Sequence, residues 1–133
     1  ALGGTSMEDG DFARGHFVAP TLFTGVAKTS RLALEEVFGP VLAVIPVGSI
    51  DEAIEVANSV EYGLAASVYT NDVNLSLRFA RESQSGMVHV NHGTASEAHM
   101  PFGGVKASGF GAYSIGHSNQ EFFTTVKAVY FQS

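Results

Sequence analysis

The chain has 133 residues, 45% of them apolar, which suits one compact domain with a hydrophobic core. Seven basic residues against thirteen acidic ones give a net charge of -6, and no cluster of lysine and arginine could neutralise a row of phosphates. The composition therefore disfavours nucleic acid as a partner.

The sequence contains no cysteine, so the chain alone cannot form a disulfide, a thiolate zinc site or a thiol nucleophile. No apolar run approaches the roughly 20 residues that cross a bilayer, and no basic segment leads into an apolar one as in a signal peptide. We expect a cytoplasmic protein with no membrane partner. The glycine-rich beginning, ALGGTSMEDGDFARGHF, has no initiator Met and is typical of a loop cut from a longer chain.

The first predicted strand is residues 41–47, VLAVIPV, because β-branched and apolar side chains run continuously there. Pro46 marks an end or an edge of that strand. Ser49 and Glu52 have the spacing of a capping box and predict a helix after it. One face of this helix is expected to carry Ile50, Ala53, Ile54 and Ala57.

Residues 64–70, LAASVYT, predict a second strand. Asn71 and Asp72 supply a turn and a helix N-cap, and the following helix is expected to bury Val73, Leu77 and Ala80. Gly86 suits the left-handed position after this helix. Residues 87–91, MVHVN, then predict a third strand.

This β-α-β-α-β order predicts an α/β fold with a parallel sheet core and covering helices, because such crossovers join parallel strands. A long glycine-rich loop follows at residues 91–111, beyond the carboxyl end of a strand, where ligands of open α/β sheets usually bind. The chain is expected to end with a short helix from near Ser118 and a C-terminal strand at residues 125–131. A hydrophobic strand at a chain end needs a partner edge.

For two groups of residues, a structural role is a simpler explanation than a metal site or a phosphate-binding loop. His89 and His92 would point to opposite faces of a strand, and neither they nor His99 and His117 have a carboxylate at ligand spacing, so we expect no metal site. GGVKASG, residues 103–109, lacks the order of a phosphate-binding loop. Its glycines are expected to permit tight turns and close approach of packed segments.

Residues 35–41, EEVFGPV, place two acids before an aromatic residue and a Gly-Pro break. One interpretation is an exposed pair of acids ahead of a strand, since surface carboxylates are the rule. The other is that the Gly-Pro turn holds Glu36 and Phe38 on the same side, two residues apart. A ribose with a planar base would suit a carboxylate beside a flat ring, and the residues alone leave both interpretations open.

Five motifs occur together in a fixed order: PTLF, EEVFGPV, YGLAASVYT, GMVHVN and PFGGVKASGFG, at residues 20–23, 35–41, 62–70, 86–91 and 101–111. In this order and spacing they resemble the C-terminal part of the NAD(P)-dependent aldehyde dehydrogenase superfamily. The resemblance extends from about residue 3 to residue 131. It implies that residues 1–133 are part of the catalytic domain of such an enzyme, with residues 125–133 as an oligomerisation strand.

The resemblance also implies roles for single residues. Glu36 matches the glutamate that binds the hydroxyls of the nicotinamide ribose, and Phe38 matches the phenylalanine that packs by the nicotinamide. Leu64 matches a position near the nicotinamide, and Phe102 matches an aromatic residue that lines the aldehyde tunnel. Residues 92–100 correspond to a variable segment that shapes substrate choice. The C-terminal strand resembles one that pairs with a neighbouring subunit, which implies a homo-oligomer.

The family's catalytic groups are missing from this sequence. Its nucleophile is a cysteine upstream of PTLF, and its general-base glutamate, oxyanion-hole asparagine and N-terminal cofactor domain also lie outside these residues. In the family a thiolate adds to the aldehyde, the thiohemiacetal passes hydride to NAD(P)+, and water hydrolyses the thioester. We therefore expect a fragment that has no catalytic residue and is inactive alone.

The identity of the substrate and of the cofactor stays open. Residues 92–99, HGTASEAH, offer no arginine to bind a substrate carboxylate, although the whole sequence looks closest to semialdehyde dehydrogenases such as those for 2-oxoglutarate semialdehyde. NAD and NADP are distinguished in the missing domain. An alternative to the enzyme fragment is a non-enzymatic domain that self-associates through an aldehyde dehydrogenase-like surface.

Overall fold

The computed structural model describes residues 1–132, and its internal contacts form two compact units rather than the single unit that the length suggests. The units are Ala1–Val60 and Glu61–Ser133. Each unit contains a pair of parallel strands.

In the first unit, two short strands form an antiparallel pair and two longer ones form a parallel pair. The elements in chain order are β1 (Ser6–Met7), a 3-10 turn (Gly10–Phe12), β2 (Phe17–Val18), β3 (Thr21–Thr24), α1 (Arg31–Leu34), β4 (Val41–Val44) and α2 (Ile50–Asn58). β1 pairs with β2, and β3 pairs with β4 with Thr21 opposite Val41.

The predicted capping box at the start of α2 is confirmed, with one difference in its partners. The Ser49 hydroxyl oxygen accepts a hydrogen bond from the Glu52 amide at 3.1 Å. The Glu52 carboxylate accepts from the Gly48 amide at 2.8 Å, one residue earlier than the usual box, and this bond lowers the pKa of Glu52. Of the predicted buried face, Ile54 is buried and Ala57 is exposed.

The second unit contains a parallel pair joined by a helix and a short antiparallel pair. Its elements are β5 (Tyr62–Gly63), β6 (Ala65–Val68), α3 (Val73–Glu82), β7 (Met87–Val90), β8 (Val105–Lys106), a 3-10 turn (Gly116–Ser118) and α4 (Asn119–Phe123). β6 pairs with β7, with Ala65 opposite Met87, and β5 pairs with β8. The predicted short helix near Ser118 is thus present.

The N-cap of α3 is confirmed, but the predicted buried stripe of this helix is wrong. Asp72 accepts hydrogen bonds from the amides of Asn74 at 2.8 Å and Leu75 at 3.2 Å. Val73 and Leu77 are 69% and 49% exposed, whereas Phe79 is only 6% exposed. The helix has apolar residues on two faces, and the structure buries the face with the large aromatic ring, which removes more apolar surface from water.

The α/β class is confirmed, while the predicted three-stranded parallel sheet is wrong in its pairing. β4 pairs with β3 and β6 pairs with β7, so the parallel strands form two separate two-stranded sheets. The reason is β3, which lies in the PTLF motif and supplies β4 with a parallel partner.

Three glycines of the second unit, Gly86, Gly103 and Gly104, act by close approach and have no positive φ. Gly86 is not among the residues with positive φ, so its predicted left-handed role is wrong. A Cβ on Gly86 would instead collide with the Gly103 carbonyl oxygen and the Tyr113 hydroxyl oxygen. A Cβ on Gly103 would meet the Tyr113 ring, and one on Gly104 would meet Ser108, which confirms the expected close packing.

The predicted C-terminal strand is absent from the described residues. After α4 the chain forms neither helix nor strand up to residue 132. Val126, Tyr130 and Phe131 are 100%, 93% and 95% exposed, because no strand edge among residues 1–132 pairs with this segment. Ser133, the last residue of the predicted oligomerisation strand, lies outside the described residues. No helix within residues 1–132 is long and apolar enough to cross a membrane.

Candidate functional site

The loop at residues 35–41 joins α1 to β4, and its far end is fixed to β3. The buried Thr21 donates its amide hydrogen to the Pro40 carbonyl oxygen at 2.8 Å, and the Val41 amide donates to the Gly39 carbonyl oxygen at 2.8 Å. The Thr21 hydroxyl donates to the Ala19 carbonyl oxygen at 2.8 Å. These bonds set where the loop enters the parallel pair.

The two adjacent acids of this loop have different surroundings, and Glu35 is held by an arginine. Arg31 donates from Nε and Nη2 to the two carboxylate oxygens of Glu35, at 2.9 Å and 2.8 Å. These hydrogen bonds lower the pKa of the Glu35 carboxyl. The carboxylate charge of Glu35 is therefore already paired with Arg31, one helical turn away.

Glu36 has no hydrogen-bond or ionic partner within residues 1–132, and it lines a concavity of about 290 Å³ together with Phe38. Residues 36–38 belong to neither a helix nor a strand, and the Gly-Pro pair follows them. Phe38 has a φ of 52°, in the left-handed region that non-glycine residues rarely adopt, and its ring is 89% exposed. Residues held in sparsely populated backbone regions cluster at functional sites.

In the second unit the structure brings Leu64 and Phe102 to one concavity of about 190 Å³. The aromatic rings of Phe110, Tyr113 and Phe122 line the same concavity. Phe102 forms an antiparallel bridge with Ser114, with N–O distances of 2.8 Å and 3.0 Å. Leu64 accepts a hydrogen bond through its carbonyl oxygen from the Met87 amide at 3.0 Å, which ties it to the start of β7.

The end of β7 is held by Asn91, whose φ is 53°. Its side-chain oxygen accepts from the Thr70 amide at 2.8 Å, and its side-chain amide donates to the Thr70 carbonyl oxygen at 2.8 Å. The chain turns at this residue, and the rings of His89 and His92 stack with centroids 5.8 Å apart. The expectation that these rings point to opposite faces is therefore wrong, because His92 lies beyond the strand.

Three features of these sites were not predicted from the sequence. The ion pair of Arg31 with Glu35 could have been found from the i, i+4 spacing on a helix. The residue types do not predict the positive φ of Phe38 or the stacking of His89 on His92. Extended and left-handed backbones differ in their local dihedral angles, and the residue types at these positions do not indicate which of the two forms. Within residues 1–132, no three His, Asp or Glu side chains are grouped to bind a metal.

The aldehyde dehydrogenase family model matches residues 1–129. The chain therefore belongs to the aldehyde dehydrogenase family. It is 39% identical over 130 residues to the α-ketoglutaric semialdehyde dehydrogenase of Bacillus subtilis strain 168, covering 97% of this chain and 27% of that protein. It is 46% identical over 130 residues to the α-ketoglutarate semialdehyde dehydrogenase of Haloferax volcanii, covering 96% of this chain and 27% of that protein.

Solved structures of the same class resemble the fold. The crystal structure of a putative aldehyde dehydrogenase from Burkholderia cenocepacia has a TM-score of 0.87 at 37% identity, covering 93% of this chain and 25% of that one. A P. syringae indole-3-acetaldehyde dehydrogenase mutant in complex with NAD+ has a TM-score of 0.82 at 37% identity, covering 90% and 23%. The chain spans about a quarter of the length of these proteins.

Proposed function

We propose that this chain is the C-terminal part of an NAD(P)-dependent aldehyde dehydrogenase that oxidises an aldehyde to a carboxylic acid. The observation that carries the proposal is the pairing of Glu36, a carboxylate with no partner in the described residues, with the exposed Phe38 ring on one concavity. Family membership supplies the reaction class. Because the chain spans about a quarter of its relatives, the activity is that of a longer protein.

The residues of this concavity fit the nicotinamide end of the cofactor. Glu36 can accept hydrogen bonds from two vicinal hydroxyls, and its charge is not already paired as that of Glu35 is. Phe38 offers an apolar face for a flat ring. When bound, NAD(P)+ supplies the acceptor for a hydride. In this proposal Glu36 and Phe38 hold and orient the nicotinamide riboside.

In the same proposal Phe102 helps to bind the aldehyde substrate. Its ring lines an aromatic concavity together with Phe110 and Phe122, a surface suited to the apolar part of a substrate. The relatives from B. subtilis and H. volcanii are named for α-ketoglutarate semialdehyde, which makes a semialdehyde the first substrate to try. A cytoplasmic location stays a prediction from composition.

The complete gene product is expected to form NAD(P)H when it is given an aldehyde, and the 133-residue chain alone is expected to form none. The reason is that thiol addition needs a cysteine and the chain has no cysteine. The measurement is nicotinamide absorbance with each protein, with NAD+ and NADP+ supplied separately and α-ketoglutarate semialdehyde compared with an uncharged aldehyde. Turnover by the isolated chain, or none by the complete product with any aldehyde, would refute the proposal.

A second candidate, self-association without catalysis, is favoured by the exposed apolar C-terminal segment. Under either function we expect the chain to form a homo-oligomer through residues 125–133, since exposed apolar side chains on unpaired backbone favour pairing with another copy. Removal of residues 125–133 is expected to shift the chain from a dimer or larger species to a monomer in analytical ultracentrifugation.

Phe110→Ser is the matched control for this truncation. It removes another exposed ring, which is 101% exposed, but leaves the C-terminal segment intact. The control is expected to keep the oligomer. A monomer both with and without residues 125–133 would contradict this assembly, and so would an oligomer that survives the truncation.

A further inference from the structure

Gly63, the last residue of β5, is held by hydrogen bonds on both sides of its backbone. It is buried, its amide donates to the Ser108 hydroxyl oxygen at 3.0 Å, and its carbonyl oxygen accepts from the Gly86 amide at 3.0 Å. A Cβ on Gly63 would collide with the Gln84 carbonyl oxygen and the Val105 side chain. Three segments that are distant in the chain therefore meet at this residue.

Ser108 lies in a turn that is fixed independently of its side chain. Its amide donates to the Val105 carbonyl oxygen at 3.1 Å, and the Ala107 amide donates to the Glu61 carbonyl oxygen at 3.0 Å. A Cβ on Gly104 would collide with the Cβ and carbonyl oxygen of Ser108, which leaves the turn little room to shift. The Ser108 hydroxyl therefore reaches β5 from a rigid support.

The residue after Gly63 is Leu64, whose side chain lines the concavity of about 190 Å³ together with Phe102 and Ser108. The Leu64 carbonyl oxygen accepts from the Met87 amide at 3.0 Å. The Leu64 side chain is 40% exposed, so few neighbouring side chains hold it. Its position in the concavity therefore depends on the backbone hydrogen bonds at residues 63 and 64.

We propose that Ser108 is a positioning residue for the aldehyde site, because its hydroxyl holds Gly63 and thereby sets where Leu64 lies in the concavity that Phe102 lines. Loss of the hydroxyl leaves the buried Gly63 amide without this acceptor, which costs more than the hydrogen bond alone contributes. The backbone then shifts towards another acceptor, and the Leu64 side chain moves with it. The role in the reaction rests on the proposed function of Phe102, whereas the hydrogen bond does not.

Ser108→Ala in the 133-residue chain tests the hydrogen bond itself. The Gly63 amide is expected to exchange with solvent deuterium about tenfold faster than in wild type, as measured by NMR, because it loses its acceptor. Ser114→Ala is the matched control. Ser114 is also half-buried and lines the concavity, but its hydroxyl is a donor, to the Phe102 carbonyl oxygen at 3.3 Å. The control is expected to leave the exchange of Gly63 unchanged.

The complete enzyme tests the positioning role. Ser108→Ala is expected to lower the ratio of kcat/KM for hexanal to kcat/KM for acetaldehyde by about tenfold, since only the longer aldehyde gains from the apolar concavity. A variant that is merely less stable would lose both activities equally and keep the ratio. Ser108→Thr retains the hydroxyl and is expected to keep the wild-type ratio and the wild-type exchange of Gly63, as Ser114→Ala is.

Fast exchange of the Gly63 amide in wild type would overturn the inference without any variant, and so would unchanged exchange in Ser108→Ala. An unchanged ratio in an enzyme that oxidises hexanal would overturn the positioning role and leave the proposed function intact. Oxidation of other aldehydes but not of hexanal would overturn the role as well. An enzyme that oxidises no aldehyde would refute the proposed function, and this role with it, whatever the exchange of Gly63.

Discussion

Glu36→Gln in the complete enzyme is expected to lower kcat/KM for the aldehyde reaction by about ten- to a hundredfold. The change keeps the shape of the side chain but removes the charge that strengthens hydrogen bonds to the cofactor hydroxyls, and such bonds to a charged group are each worth about 1.5–3 kcal/mol. Glu36 has no protein partner within residues 1–132 that its charge could serve instead. The measurement is steady-state NAD(P)H formation over a range of cofactor concentrations.

Glu35→Gln is the matched control, since it makes the same chemical change at the neighbouring residue. Glu35 is paired with Arg31 in an exposed ion pair, and breaking such pairs has small effects. We expect its kcat/KM to stay within about twofold of wild type. Equal kinetics for wild type and Glu36→Gln, or an equal loss in both variants, would contradict the assignment of the ribose-binding role to Glu36.

Gly86→Ala is expected to destabilise the chain by about 1–3 kcal/mol, the usual range for overpacking a close contact. The added methyl group would collide with the Gly103 carbonyl oxygen, which is backbone and cannot rotate away, and with the Tyr113 hydroxyl oxygen. The free energy of unfolding is to be measured by urea denaturation of the 133-residue chain, followed by circular dichroism.

Gly93→Ala provides the comparison within the same unit. An added Cβ at Gly93 meets no atom within 4 Å, and its φ lies outside the left-handed range. Its stability is expected to match wild type within about 0.5 kcal/mol. If both variants unfold at the same urea concentration as wild type, the close approach of Gly86 to Gly103 does not exist in solution.

Local signals in the sequence predicted the helices α2, α3 and α4 and the strands β4, β6 and β7, because the groups that specify these elements are neighbours in the chain. Ser49 with Glu52 and Asp72 with the amides after it act within three residues, and each cap forms in the structure. Strand pairing was less predictable. β3 is only four residues long, and nothing local indicates that Val41 pairs with Thr21 rather than with a later strand.

The candidate site was predictable only through resemblance. EEVFGPV gave residue types suited to a ribose, but the geometry that separates Glu36 from Glu35 depends on Arg31, and the position of Phe38 depends on a left-handed backbone. The C-terminal segment is the opposite case, because its sequence predicts a strand and the structure forms none. Residues 125–131 have the composition of a strand, yet a strand forms only with a partner edge, and none within residues 1–132 provides it.

A crystal structure of the complete gene product with bound NAD(P)+ tests the central claim most directly. We expect the hydroxyls of the nicotinamide ribose to form hydrogen bonds with the Glu36 carboxylate, the nicotinamide to lie by Phe38, and Glu35 to stay paired with Arg31. A nicotinamide ribose bound by other residues, with the Glu36 carboxylate facing solvent, would contradict it.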